Sequence, residues 1–447
     1  MVSLEFCIVV EGIYRVNAII KYIHDNGGTI GTALLNLLKT LAKSDLVRKI
    51  GETFATKIML IGLGLITGVI TARILGPEGR GLYAVAITVA TMGIQFGNLG
   101  LHASNTYYVA KDRSQLPVLV GNSLFISIIF GVFAALAWIT FRAWPSLAPI
   151  SGRLLVLTLA WIPVGLAYML LQNILLGIEE FRAYNKIELV MQFLSIVAIS
   201  TLIVFRAVSV ESIFLTAFLT LFASAGWAFF HINKYYVGLP LFSASLFKNN
   251  LHFGVKAYMA SFFAFLVLRS DLLIVKYIRG SEEAGLYSIA VSLADMVYLL
   301  PTVIATILFP KLSSMSDKNA KWILLKKTIW VSAPFLSIVG LCATLLASFI
   351  ISFLFGKAYT SAAPAFVWLM PGILFLGIQV IAVQLLNSEG FPKIIVAIWA
   401  VSFLFNIGLN LYAVPKFGMI GASIASSLSY FLVLSSVAVV IRRAVHE

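Results

Sequence analysis

Apolar residues along this chain come in long blocks, not in the spaced stripes of a water-soluble helix. Five stretches lack Asp, Glu, Lys and Arg for longer than the ~20 residues a helix needs to cross a bilayer. They run from Gly81 to Ala110, Ser114 to Phe141, Leu154 to Ile178, Thr328 to Gly356 and Ala358 to Ser388. Shorter blocks fill the gaps, punctuated by charges and turn residues. In lipid every backbone polar group must be paired within its own segment, so such blocks read as helices. The pattern predicts about twelve, at 55–75, 82–106, 117–141, 154–177, 187–206, 212–233, 256–278, 285–309, 328–355, 362–387, 394–414 and 418–441. Span 256–278 contains Arg269 and Asp271. It stays apolar around them (SFFAFLVL, then LLIV), and the alternation of sides requires it.

Composition agrees with this pattern. The 447 residues are 60% hydrophobic and 11% charged, whereas a soluble domain carries about a quarter charged residues. An apolar surface of this extent must face lipid, so the lipid bilayer is the first partner. A net charge of +14 would point to nucleic acid in a soluble protein. Here the basic residues sit between apolar blocks, where they set topology, and no nucleic-acid partner is expected. With the N-terminus in the cytoplasm, 22 Lys and Arg fall on the cytoplasmic side and nine on the other. That bias places both termini inside. Cys7 and Cys342 form no zinc spacing or disulfide framework and read as packing residues; neither metal nor cofactor is expected. Residues 1–50 form an N-terminal cytoplasmic extension, in which ALLNLLKTLAKSDLVRKI reads as a basic amphipathic helix or as part of a dispensable extension.

A repeat divides the rest. Residues 76–92, GPEGRGLYAVAITVATM, match 280–296, GSEEAGLYSIAVSLADM, at an offset of 204. The matched set includes Gly76, Gly81 and Tyr83 with Gly280, Gly285 and Tyr287. LLGIEEFRAY at 175–184 is echoed more weakly by LLNSEGFPKI at 385–394. Both members of each pair fall on one membrane side, so the halves are parallel repeats about an axis along the membrane normal. Transporters use such halves to enclose a midplane site. The chain divides into a first six-helix bundle at 51–236, a cytoplasmic linker at 237–255, and a second bundle with a short tail at 256–447. The glycines are read as permitting the turns between helices, and Tyr83 and Tyr287 as interfacial aromatics.

ARILGPEGRGLYAVA, DLLIVKYIRGSEEAGLYSIA, LLGIEEFRAYNKIEL and LNLYAVPKFGMIGASIASSLSY together resemble the polysaccharide-export branch of the multidrug/oligosaccharidyl-lipid/polysaccharide exporter superfamily. The resemblance covers about residues 50–441. It implies an all-α polytopic membrane protein of MATE-like fold with a V-shaped central cavity. It further implies a bacterial inner-membrane flippase for an undecaprenyl-diphosphate-linked oligosaccharide, such as an O-antigen, capsule or exopolysaccharide unit. Polysaccharide polymerase and chain-length machinery are partners of such a system. The alternative is a cation-coupled multidrug or metabolite antiporter of the same fold. No enzyme signature appears, and no loop is long enough for a catalytic domain.

Charges at bilayer depth are costly and mark protein interiors or wet cavities. Arg269 and Asp295 lie 13 residues either side of Glu282 in a hairpin, which predicts equal depth. Arg269 suits a diphosphate, because its planar fork bonds oxygens in pairs. Asp271 or Asp295 would then answer a coupling proton or cation. The structural alternative is an Arg269–Asp295 pair that pins the hairpin. Gln95, Asn98, His102 and Asn105 recur at helical spacing, either lining a sugar-binding cavity or bonding helix to helix. Asn98 and His102 join Arg269 as candidate substrate contacts.

Overall fold

The computed structural model describes residues 45–390 and 393–446, and among them every regular element is helical. The first half holds α1 (Asp45–Asn98), α2 (Leu101–Lys111), α3 (Leu116–Ala143), α4 (Gly152–Gly177), α5 (Phe181–Val204) and α6 (Val210–Ile232). The second holds α7 (Ala244–Arg279), α8 (Ser281–Ser313), α9 (Lys318–Leu345), α10 (Ala347–Phe355), α11 (Ala363–Ser388) and α12 (Ile394–His446). Ten helical segments among the described residues are long and apolar enough to cross a membrane. Two of them, within α1 and α12, run through a non-helical glycine, Gly76 (φ 66°) and Gly418 (φ 56°). Positive φ is open to glycine without steric cost, and it lets the chain reverse there. Arg80 reaches back to Thr71 Oγ1 at 3.2 Å, and Asn406 donates to Ser429 Oγ at 3.2 Å across the second turn. Both bonds require antiparallel arms. Most of the amphipathic stretch proposed for residues 1–50 lies outside the described residues, as does Cys7; Cys342 is exposed and does not pack inside.

Gly76 and Gly280 (φ 95°) sit at equivalent turns, as the repeat predicts, and Gly152 and Gly356 (φ 66° and 102°) are a further matched pair at the same offset. Gly81 and Gly285 serve another purpose. A Cβ on Gly81 would stand 1.7 Å from the Ser281 carbonyl oxygen, and one on Gly285 would stand 1.8 Å from the Pro77 carbonyl oxygen. The two motif copies therefore meet backbone to backbone. Tyr287 is fully buried, not interfacial, and Tyr83 packs edge-on against Phe214.

Within the halves, α1 packs on α4 and α5, α6 on α4, α8 on α7 and α11, and α12 on α7 and α11; α1 against α8 and α2 against α7 join the halves. Outward faces carry exposed apolar side chains such as Phe222, Trp330, Phe349 and Leu404, suited to lipid. Span nine is two helices, α9 and α10, meeting at Leu346. The segment before span seven is part of α7: its residues Phe247 and Leu251 pack into the first half's Ile94–Leu101–Leu170 core. Gly254 lies directly on Gly100, where the chain leaves α1 with left-handed backbone at both Leu99 and Gly100.

Candidate functional site

The arm of α1 before Gly76 and the body of α8 enclose a cavity of about 270 Å³. Ile61, Gly64, Leu65 and Gly68 form its α1 wall, and Ser292, Met296 and Leu299 its α8 wall. Nothing occupies the Cβ positions of Gly64 and Gly68, so absent side chains make the room. The charged groups are Arg80 and Asp295.

Hairpin geometry brings Arg269 to Asp295, with guanidinium Nη2 to carboxylate Oδ2 at 2.8 Å. Each side chain is 35% exposed, so the pair is not sealed in, and Asp295 is the member that lines the cavity. Asp271, two residues on, points elsewhere and is 2% exposed. It accepts from the Tyr287 hydroxyl, the Ser426 hydroxyl at 3.0 Å and the Leu272 N–H at 2.7 Å. A void of about 10 Å³, room for roughly one water, touches Asp271, Asp295 and Tyr430. The two acids thus differ in kind: one is paired at a wet edge and the other is held by neutral donors.

Arg80 is the residue that sequence reasoning missed as a site candidate, because it falls in a loop just before the start of its span. The turn at Gly76 folds it back between the halves, where it donates to Thr71 Oγ1 at 3.2 Å and Ser288 Oγ at 3.4 Å. Its guanidinium lies 5.8 Å from the Tyr83 ring centroid. Among the described residues no carboxylate forms a salt bridge with it. A half-buried cation held only by hydroxyls and a ring keeps most of its capacity for an anion. Its sequence signal was its place inside the repeat motif, immediately before Gly81.

Asn98 and His102 do not join this cavity. Asn98 is buried; its Oδ1 accepts the His102 backbone N–H at 3.2 Å and lies 2.9 Å from the ring Nδ1. His102 packs edge-on against Tyr258 of α7, whose hydroxyl donates to the Gln95 backbone and contacts its side chain. Asn105 donates to Ser123 and accepts from Asn250. This polar stripe bonds the first half to α7. Among the described residues no cluster of His, Cys, Asp and Glu has the makings of a metal site.

Comparison with known proteins adds the lineage. Residues 46–316, more than half of the chain, match the family model described as "Polysaccharide biosynthesis protein". A Shigella flexneri protein named as a putative O-antigen transporter is 23% identical over 420 residues, covering 88% of this chain and 96% of that one. An uncharacterized membrane protein of Methanocaldococcus jannaschii is 30% identical over 196 residues, but the match spans only 39% of its length. The match to a Haloferax volcanii protein named as a probable flippase (31% identity) spans 35% of that protein and 36% of this chain. The fold resembles the lipid II flippase MurJ in an inward closed conformation (TM-score 0.70, 16% identity, 87% of each chain). It also resembles an inward-facing MATE multidrug transporter (TM-score 0.69, 13% identity, 87% of this chain and 94% of that one). The chain is therefore a multi-pass membrane protein, and it belongs to the polysaccharide biosynthesis protein family.

Proposed function

We propose that this protein flips an undecaprenyl-diphosphate-linked oligosaccharide across the bacterial cytoplasmic membrane by alternating access. The observation that carries this reading is the cavity between α1 and α8 with Arg80, unpaired by any described acid, in its wall. Splitting α1 at Gly76 and α12 at Gly418 gives twelve crossings in two six-helix halves, 51–236 and 256–447, with the intervening 237–255 running into the first turns of α7. The Lys and Arg bias puts both termini in the cytoplasm and the Gly81–Gly285 end outside. The saccharide class, an O-antigen, capsule or exopolysaccharide unit, is the one the motif resemblance implies, and the relative named as a putative O-antigen transporter supports its first member.

The headgroup's diphosphate binds Arg80 first, since among the described residues no carboxylate pairs with that cation. It then competes with Asp295 for Arg269. Releasing Asp295 frees it, beside Asp271, to take up a proton or cation and keep the charge of the cavity balanced. The prenyl chain stays in lipid while the sugar crosses. A cavity of about 270 Å³ lies just below the ~300–1,000 Å³ usual for ligand pockets, so an oligosaccharide needs the halves to part further. An exchanger of organic cations has no use for an unneutralised arginine at this point, and that disfavours the antiporter alternative.

The test is inversion of a fluorescent undecaprenyl-diphosphate oligosaccharide in reconstituted vesicles. Arg80→Ala and Arg269→Ala, both folded, are expected to cut inversion by roughly tenfold or more, the cost of losing one charge-assisted contact. If several chemically different donors all stay unmoved by the wild type, the flippase reading fails.

A further inference from the structure

The approach of Gly81 to Gly285 is reciprocal in detail. A Cβ on Gly81 would lie 1.7 Å from the Ser281 oxygen and 2.9 Å from the Gly285 nitrogen. A Cβ on Gly285 would lie 1.8 Å from the Pro77 oxygen and 2.9 Å from the Gly81 nitrogen. Pro77 and Ser281 are equivalent at the same offset of 204 as Gly81 and Gly285. The contact is therefore an isologous one inside a single chain, each half offering the same backbone patch to the other. Only glycine at both positions allows backbones this close.

Three further ties join the halves at this end. Arg73 donates through Nε and Nη2 to the Leu354 and Phe353 carbonyls, the free acceptors at the end of α10. Tyr359 donates to the Ala72 carbonyl at 2.7 Å, and Arg80 reaches Ser288. The α8 arm that carries Gly285 also lines the open cavity, facing the α1 arm that precedes Gly76, and Arg80 beside Gly81 reaches its wall. The contact is also poised to part. It presses together two helix N-termini, whose partial positive charges repel, and Glu78 and Glu282 stand in the two first turns to offset that repulsion.

We propose that the two copies of the repeat motif are the leaves of one gate, and that the Gly81–Gly285 contact breaks and reforms in each cycle. The repeat was retained at these positions because a symmetric seam demands the same residue on both sides. This holds whatever the cargo, and its test needs no lipid-linked sugar. A Ser292→Cys reporter on the cavity wall is placed in a chain whose Cys7 and Cys342 are replaced by serine. A membrane-impermeant maleimide is then applied from either face of oriented vesicles.

In the parent, the reporter thiol should react from the face opposite the motifs. Gly81→Leu and Gly285→Leu should each raise labelling from the motif face by roughly tenfold, the size of a modest population shift. The double variant should add little, because either bulk breaks the same contact. Gly62→Leu, whose side chain enters open space, should leave labelling one-sided. If a leucine variant does not elute as a folded species, Arg73→Gln with Tyr359→Phe removes two ties without bulk and should raise motif-face labelling severalfold. Folded variants that label only from the opposite face overturn the proposal. So does an effect of Gly285→Leu without one of Gly81→Leu.

Discussion

The two halves share their glycines and differ in their chemistry. At the offset of 204, Arg269, Asp271 and Asp295 of the second half stand where the first has Leu65, Thr67 and Thr91. Arg80 of the first half stands where the second has Ala284. Thr67 accepts one side-chain bond, from Gln192 at 3.2 Å, whereas Asp271 accepts three. The backbone-setting residues are thus symmetric: Gly76 with Gly280, Gly81 with Gly285, Gly152 with Gly356. Symmetry is needed where the halves meet, since each must present what the other accepts. On the proposed function the charges are asymmetric because a single cargo passes to one side of the axis and cannot use two identical sites at once.

The sharpest way to break this comparison is Asp271→Ala against Thr67→Ala. The first strands the buried Tyr287 and Ser426 hydroxyls, and at ~1–3 kcal/mol for a buried group left unpaired it is expected to cost about 2–4 kcal/mol. The second should cost about 0.5–1.5 kcal/mol. Thermal unfolding in detergent measures both, and equal losses would mean that the halves are energetically alike. Gly81→Ala and Gly285→Ala come next, each overfilling the seam for about 1–3 kcal/mol. Their melting temperatures should fall together, while Gly62→Ala, in open space, should gain up to ~1 kcal/mol of helix propensity.

Exchanging the pair, Arg269→Asp with Asp295→Arg, should recover most of what Arg269→Ala loses in stability. With both side chains a third exposed, solvent holds that loss to about 0.5–1 kcal/mol. Inversion of lipid-linked sugar should stay low, since the cation would then sit on α8. The smallest effect concerns Asp112, which caps the turn before α3 as Asp317 caps α9. Bonds from the Ser114 hydroxyl and N–H, then the Gln115 amide, hold its carboxyl below the usual range. A lowered folded pKa stabilises above the unfolded value and is lost as pH falls through the folded one. Asp112→Asn should therefore melt slightly below wild type at neutral pH and level with it in acid.

Much of the molecule was legible from residue order. Blocks without charge located the helices, and hairpin spacing put Arg269 opposite Asp295. The repeat located Gly76 and Gly280 as turns. Residues whose partners lie far along the chain were not legible. Tyr287 looked interfacial because an aromatic after a loop usually is, yet Asp271 holds it inside. Asn98 and His102 looked like a cavity stripe, but the left-handed break at Leu99 and Gly100 turns that face toward Tyr258. The segment before span seven read as a linker, although Phe247 and Leu251 complete a core in the other half.

Sequence alone determined that this is a helical membrane protein carrying a repeated motif, because hydrocarbon forces each span to be long, apolar and internally bonded, and a repeat leaves its period in the letters. Tertiary structure decided which charges are spoken for. Among the described residues Arg269 has Asp295, Asp271 has three neutral donors, and Arg80 has two hydroxyls and a ring. Charge neutralisation depends on distances of a few ångströms between helices hundreds of residues apart, and residue order does not encode those distances directly.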